Sequence, residues 1–138
     1  MPTLNFDQIH DYDPGEKGIS IPVELKAGGN QIRVDAKLDT GSSFCVFTRE
    51  QGEALMLDIE SGLLEIISTA TGTFKAFGHS VTVSALGFEL EAVVYFAAAY
   101  EFRRNVLGRF GWMQQLRIGI VDYDGQLYLS FYDQGPMN

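Results

Sequence analysis

A chain of 138 residues with 46% hydrophobic and 20% charged side chains has the length and composition of one folded domain, which excludes wholesale disorder and leaves no room for two ordinary lobes. Eighteen acidic residues against ten basic ones give a formal charge of -8, and the basic residues are scattered apart from the Arg103-Arg104 pair, so nucleic acid is excluded as a partner. The single cysteine, Cys45, rules out an intramolecular disulfide and fits a reducing compartment.

In chain order, the first 18 residues form an N-terminal extension with no basic start followed by an apolar run, and no later apolar stretch approaches the roughly 20 residues of a membrane-crossing helix. The expectation is a cytoplasmic protein without membrane contact. Within the extension, "DYDPGEKG" lacks the later glutamate of a calcium loop and reads as an exposed linker. Ile19, Ile21, Val23 and Leu25 then alternate with mostly polar neighbours, as do Ile32, Val34, Ala36 and Leu38, with "KAGGN" between them. This pattern predicts a hairpin over residues 19 to 38 that turns Arg33, Asp35 and Lys37 to solvent.

"FCVFT" is apolar on both parities and predicts a strand buried on both faces. Thr48, with Gln51 three residues later, has the form of a capping box opening a short helix through about Met56. "GLLEIIST", "HSVTVSAL" and "FELEAVVYF" predict three strands, the last two separated by Gly87. "NVLGRFGWMQQL" reads as an apolar strand that stops at Gly108 and turns into a helical segment, and "LRIGIVDYDGQLYLSFY" as a closing hairpin turning at Asp124-Gly125. The sum is an all-β domain over residues 19 to 132, a closed or nearly closed barrel with one or two short helices, followed by a tail at 133 to 138.

Between the first hairpin and the buried strand stands "LDTGS", residues 38 to 42. It puts a short carboxylate, Asp39, on a tight loop that glycine allows to fold back and that neighbouring hydroxyls can brace. The same residues also make an ordinary turn, so the triplet by itself decides nothing.

The order of features along the chain resembles the retropepsin-like, single-domain aspartic proteases. "VDAKLDTGSSFCVF" (34 to 47) has the form of their catalytic loop, and "ISTATGTFKAFG" (67 to 78) looks like their flap hairpin with Thr71-Gly72 at its tip. "NVLGRFGWMQQL" (105 to 116) matches their two apolar residues and glycine before a helix, and "RIGIVDYDGQLYL" (117 to 129) their closing strands. The resemblance covers roughly residues 19 to 132, and it implies a retropepsin-like closed β-barrel with a flap. It also implies an aspartic endopeptidase in which two carboxylates share a proton, one activating water and the other donating to the peptide carbonyl, with no metal and no cofactor. Only one Asp-Thr-Gly is present, so the second carboxylate would come from another copy of the chain. The implied partners are therefore a homodimer mate and a peptide or protein substrate.

Carried onto this chain, the resemblance assigns Asp39 as the catalytic carboxylate, Thr40 as a brace reaching the other protomer's loop, Gly41 as the point where backbone lies beside substrate, and Ser42 as a donor to the outer carboxylate oxygen. Val106, Leu107 and Gly108 would pack behind the loop. Ala70, Thr71, Gly72, Thr73 and Phe74 would cover an extended peptide and offer it backbone hydrogen bonds. Retroviral members often carry an Asp two residues past the triplet's glycine, paired with the Arg after the later glycine; Ser43 stands there in this chain while Arg109 remains. Phe44, Phe74 and Phe96 suggest a preference for apolar or aromatic side chains.

Other groups read as structural. His10 and His79 are too few for a metal cluster or a serine relay, Cys45 is a core thiol, and Trp112 with Phe110 and Met113 is core packing. The rival to an enzyme is a retropepsin fold that binds or dimerises without cutting, and behind it a small barrel with a fortuitous turn. The intact Asp39, Thr40, Gly41 and Ser42 weigh against both.

Overall fold

The computed structural model describes residues 1 to 132, and the tail at 133 to 138 lies outside the described residues. Strand β1 (Gln8–Asp11) is followed by the hairpin β2 (Ile19–Ala27) and β3 (Asn30–Leu38). Pairing runs from Ile19 against Leu38 to Ala27 against Asn30, with Gly28 and Gly29 at φ 55° and 89° making the turn. Ile21, Val23 and Leu25 point inward while Arg33 and Asp35 are exposed, as the alternation requires.

After β4 (Val46–Phe47) comes helix α1 (Arg49–Ala54). The Thr48 side chain accepts from the Gln51 amide at its start, but the return bond of a capping box is replaced: the Thr48 amide donates to the Asn105 side-chain oxygen at 3.1 Å. The helix stops at Ala54, with Leu55 as its cap and Met56 at φ 61°.

Strand β5 (Leu63–Thr69) forms a hairpin with β6 (Gly72–Ala85), and β6 pairs in turn with β7 (Phe88–Ala97). Then follow β8 (Val106–Leu107), β9 (Leu116–Val121) and β10 (Gln126–Phe131). The segment after Gly108 holds only a 3-10 turn, Met113–Gln115, where a helix was expected. Gly111 at φ 96° breaks the chain before it and β9 begins immediately after it, so a longer helix has no room.

The main sheet runs β2-β3-β8-β4-β7-β6-β5, and an additional pairing of β2 with β6 closes its first six strands into a ring. The barrel is closed, and β5 extends from it as the outer strand of the flap hairpin. Phe47, Phe96, Leu107, Val83 and Trp112 fill its centre at 2% exposure or less. Phe110, read from sequence as core, is instead 43% exposed, while Trp112 beside it is fully buried.

A second sheet, β1-β10-β9, flanks the barrel. Its first strand comes from the N-terminal extension, where no strand was expected, and pairs Gln8 with Leu129 through Asp11 with Gln126. The "DYDPGEKG" stretch is mostly exposed, yet Tyr12 is fastened to the β9–β10 turn by its amide to the Gly125 carbonyl at 2.8 Å and by its hydroxyl to Asp122 at 2.6 Å.

Candidate active site

Asp39 stands where β3 leaves the ring, and its position is set by the parallel pairing of β3 with β8. The Lys37 amide donates to the Asn105 carbonyl at 2.9 Å and the Asp39 amide to the Leu107 carbonyl at 3.0 Å, which extends the ladder to the carboxylate-bearing residue itself. The loop then turns back tightly: the Ser42 amide donates to the Asp39 carbonyl at 3.1 Å, and the Gly41 amide to Asp39 Oδ1 at 2.9 Å. A Cβ on Gly41 would lie 3.2 Å from that same oxygen, so glycine here keeps the space beside the carboxylate open.

The loop is clamped from behind. Arg109 and Phe110 donate their amides to the carbonyls of Ser42 and Ser43 at 2.9 and 2.8 Å. Gly108 passes so close that a Cβ would sit 2.3 Å from the Phe44 carbonyl oxygen and 2.7 Å from that of Ser42, a distance no side chain tolerates. This explains the apolar-apolar-glycine run physically, since Val106 and Leu107 are buried and Gly108 must touch backbone. Below the loop lies Cys45, fully buried, whose Sγ accepts from the Gly108 amide at 3.4 Å. Burial pushes its thiol up to about 11, although the Gly108 hydrogen bond acts in the opposite direction.

The structure brings Asp39, Thr40, Gly41, Ser42, Val106, Leu107 and Gly108 together. In the single chain the Ser42 hydroxyl donates to the Phe44 carbonyl at 2.7 Å, not to Asp39; a hydroxyl has one proton to give. Thr40 is exposed. The Arg109 amide goes to Ser42 while the Ser43 carbonyl accepts from Phe110, and the Arg109 guanidinium lies 5.7 Å over the Phe110 ring.

Ala70, Thr71, Gly72 and Thr73 form the exposed tip of the β5–β6 hairpin, braced by the Thr69 hydroxyl donating to the Gly72 carbonyl at 3.1 Å. Phe74 at its base stacks on Phe102 at 4.5 Å between ring centroids. Phe96 has no exposure and packs among Phe47 and His79, so it cannot line a substrate pocket; Phe44 and Phe74 are half-buried.

Sequence reasoning missed the segment 98 to 105, which crosses from flap to Asp39 loop. The Ala98 amide donates to Lys75 of the flap strand at 2.9 Å, Phe102 stacks on the flap, and Arg104 brings Nη2 to 3.8 Å from Asp39 Oδ2. The available signal was the Arg103-Arg104 pair directly before "NVLG".

Among solved structures, "EIAV protease complexed with the inhibitor HBY-793" matches with 22% identity and a TM-score of 0.56 over 71% of this chain and 88% of that one, a likeness of fold. No curated protein matches significantly. A sequence model described as aspartyl protease matches residues 21–121, a span that contains the Asp39 loop, the flap hairpin and the Val106-Leu107-Gly108 segment. With its closed barrel and flap, the chain belongs to the aspartyl protease family and has the retropepsin-like fold.

Proposed function

We propose that the protein is an aspartic endopeptidase acting as a homodimer, in which Asp39 of each protomer contributes one half of a carboxylate dyad. The observation that carries this reading is a side chain that the fold holds in place yet leaves partly open: Asp39 keeps 38% exposure while its backbone and Oδ1 are fixed by Leu107 and Gly41. One carboxylate of the pair takes a proton from water as it attacks the peptide carbonyl, while the protonated partner donates to the carbonyl oxygen. The products are a carboxylic acid and an amine. A pure scaffold gains nothing from an accessible charge at that point, and this separates the enzyme from a non-cutting dimerisation module. Thr40, exposed on the same loop, is assigned the bracing contact to the partner, and residues 70 to 74 the backbone contacts to an extended peptide. The lone buried thiol suits a reducing compartment such as the cytoplasm.

Asp39→Asn keeps the volume and the Gly41 amide contact but cannot act as the base. It is expected to lower peptide cleavage by at least about a thousandfold with unchanged circular dichroism and thermal midpoint. A folded Asp39→Asn protein that cuts as fast as the wild type overturns the assignment.

A further inference from the structure

We propose that Arg104 is a specificity-determining residue that selects peptides with an acidic side chain beside the scissile bond. The inference rests on the reading of Asp39 as the catalytic carboxylate and says what kind of substrate that carboxylate meets.

Three observations carry it. Arg104 is the cation facing Asp39, with Nη2 3.8 Å from Oδ2, the carboxylate oxygen opposite the one the Gly41 amide holds. At that separation the contact is an ion pair without a hydrogen bond, and the Arg104 side chain is 65% exposed. Such pairs contribute little, so the guanidinium is not what positions Asp39 and can turn to another carboxylate at small cost. Its backbone, by contrast, is fixed on both sides. Asn105 is tied to β3 and to the start of α1, with the Lys37 amide on its carbonyl and the Thr48 amide on its side chain, and Phe102 is stacked on Phe74 of the flap. Arg104 is therefore presented on a fixed segment between flap and catalytic loop, where bound peptide passes, with a mobile, planar, five-donor head.

The sign of the field agrees. The molecule carries -8 overall, yet its one pair of adjacent basic residues, Arg103 and Arg104, lies at this site. Arg103 is turned to Glu50 at 3.8 Å, which leaves Arg104 directed at Asp39. In a dimer two such guanidiniums flank a dyad that holds one shared proton, so the rim is net positive against an acidic background. A substrate Asp or Glu adjacent to the cut replaces Asp39 as the partner of Arg104, whereas a Lys or Arg there meets a like charge.

The test is cleavage of a proteome-derived peptide library at pH ~6, where most substrate carboxylates are ionised, with cut sites read by mass spectrometry and Asp39→Asn as the blank. Wild-type cuts are expected to be enriched about fivefold in Asp or Glu at a position flanking the cut, the ratio an exposed charge pair supplies. Arg104→Lys should keep an acidic preference of reduced size, Arg104→Ala should bring the acidic-to-neutral ratio to the library's own frequency, and Arg104→Glu should enrich Lys and Arg. Wild-type cutting without acidic enrichment, or variants that slow all sites alike with the ratio unchanged, overturns the role of Arg104 and leaves the protease reading standing. A wild type that cuts no more than the blank overturns both.

Discussion

The thiol of Cys45 illustrates at the scale of one residue how closely the Asp39 loop is built. It fills the space beneath Gly108 with no exposure, and burial raises it from an ordinary 9.0 to about 11. The folded chain thus holds this proton more tightly than the unfolded chain does. Its contribution is whole below pH 9.0 and is lost as pH rises through the folded value near 11. The difference in stability between wild type and Cys45→Ala, measured by urea unfolding, is expected to shrink by about 2 kcal/mol between pH ~8 and ~11. Using the variant as reference removes the parallel effect of Tyr12, whose hydroxyl is raised to about 12 chiefly by its hydrogen bond to Asp122. A pH-independent difference would show that the thiol is not held neutral by burial.

At the scale of the element, helix α1 ends in a motif with an ill-suited residue. The Leu57 amide returns to the Gly52 carbonyl and the Met56 amide to that of Glu53, both characteristic of a helix that closes through a left-handed residue, and that residue is Met56, 77% exposed at φ 61°. Met56→Gly is expected to stabilise the fold by about 1 kcal/mol, a rise of roughly 3 to 5 °C in Tm by calorimetry; an unchanged or lower midpoint contradicts this account. The start of this helix was legible from Thr48 and its end to within two residues, but the left-handed closure was not, because a methionine does not announce such a position as glycine does. The same limit applies elsewhere. Strands with strict alternation, such as β2 and β3, and the Asp39 loop with its glycine partner at 108 could be read from residue order. Strand β1 could not, since "QIHD" has one apolar residue and is held by backbone pairing to β10. Nor could Arg104, whose importance depends on where residues 98 to 105 cross.

At the scale of the whole molecule, each chain supplies one Asp39, and that number is open to a direct test of the proposed shared site. Wild type mixed with Asp39→Ala at constant total concentration, after subunit exchange confirmed by sedimentation, is expected to lose activity as the square of the wild-type fraction. Equal mixing should leave about a quarter, because only dimers with two intact carboxylates hold base and acid together. A linear fall to about a half would point to a monomeric enzyme. The clamp around the Asp39 loop also bears on when such a site can exist. Cys45 and Gly108 are 63 residues apart in sequence, and β8, which closes the ring beside β3 and β4, lies in the last quarter of the chain. Contacts of such long range form late, after the entropy of closing the intervening loop has been met. A ribosome that has released only the first hundred residues has made the Asp-Thr-Gly triplet but not the backbone from Asn105 to Phe110 that clamps it, so the geometry for chemistry waits until that later segment has emerged.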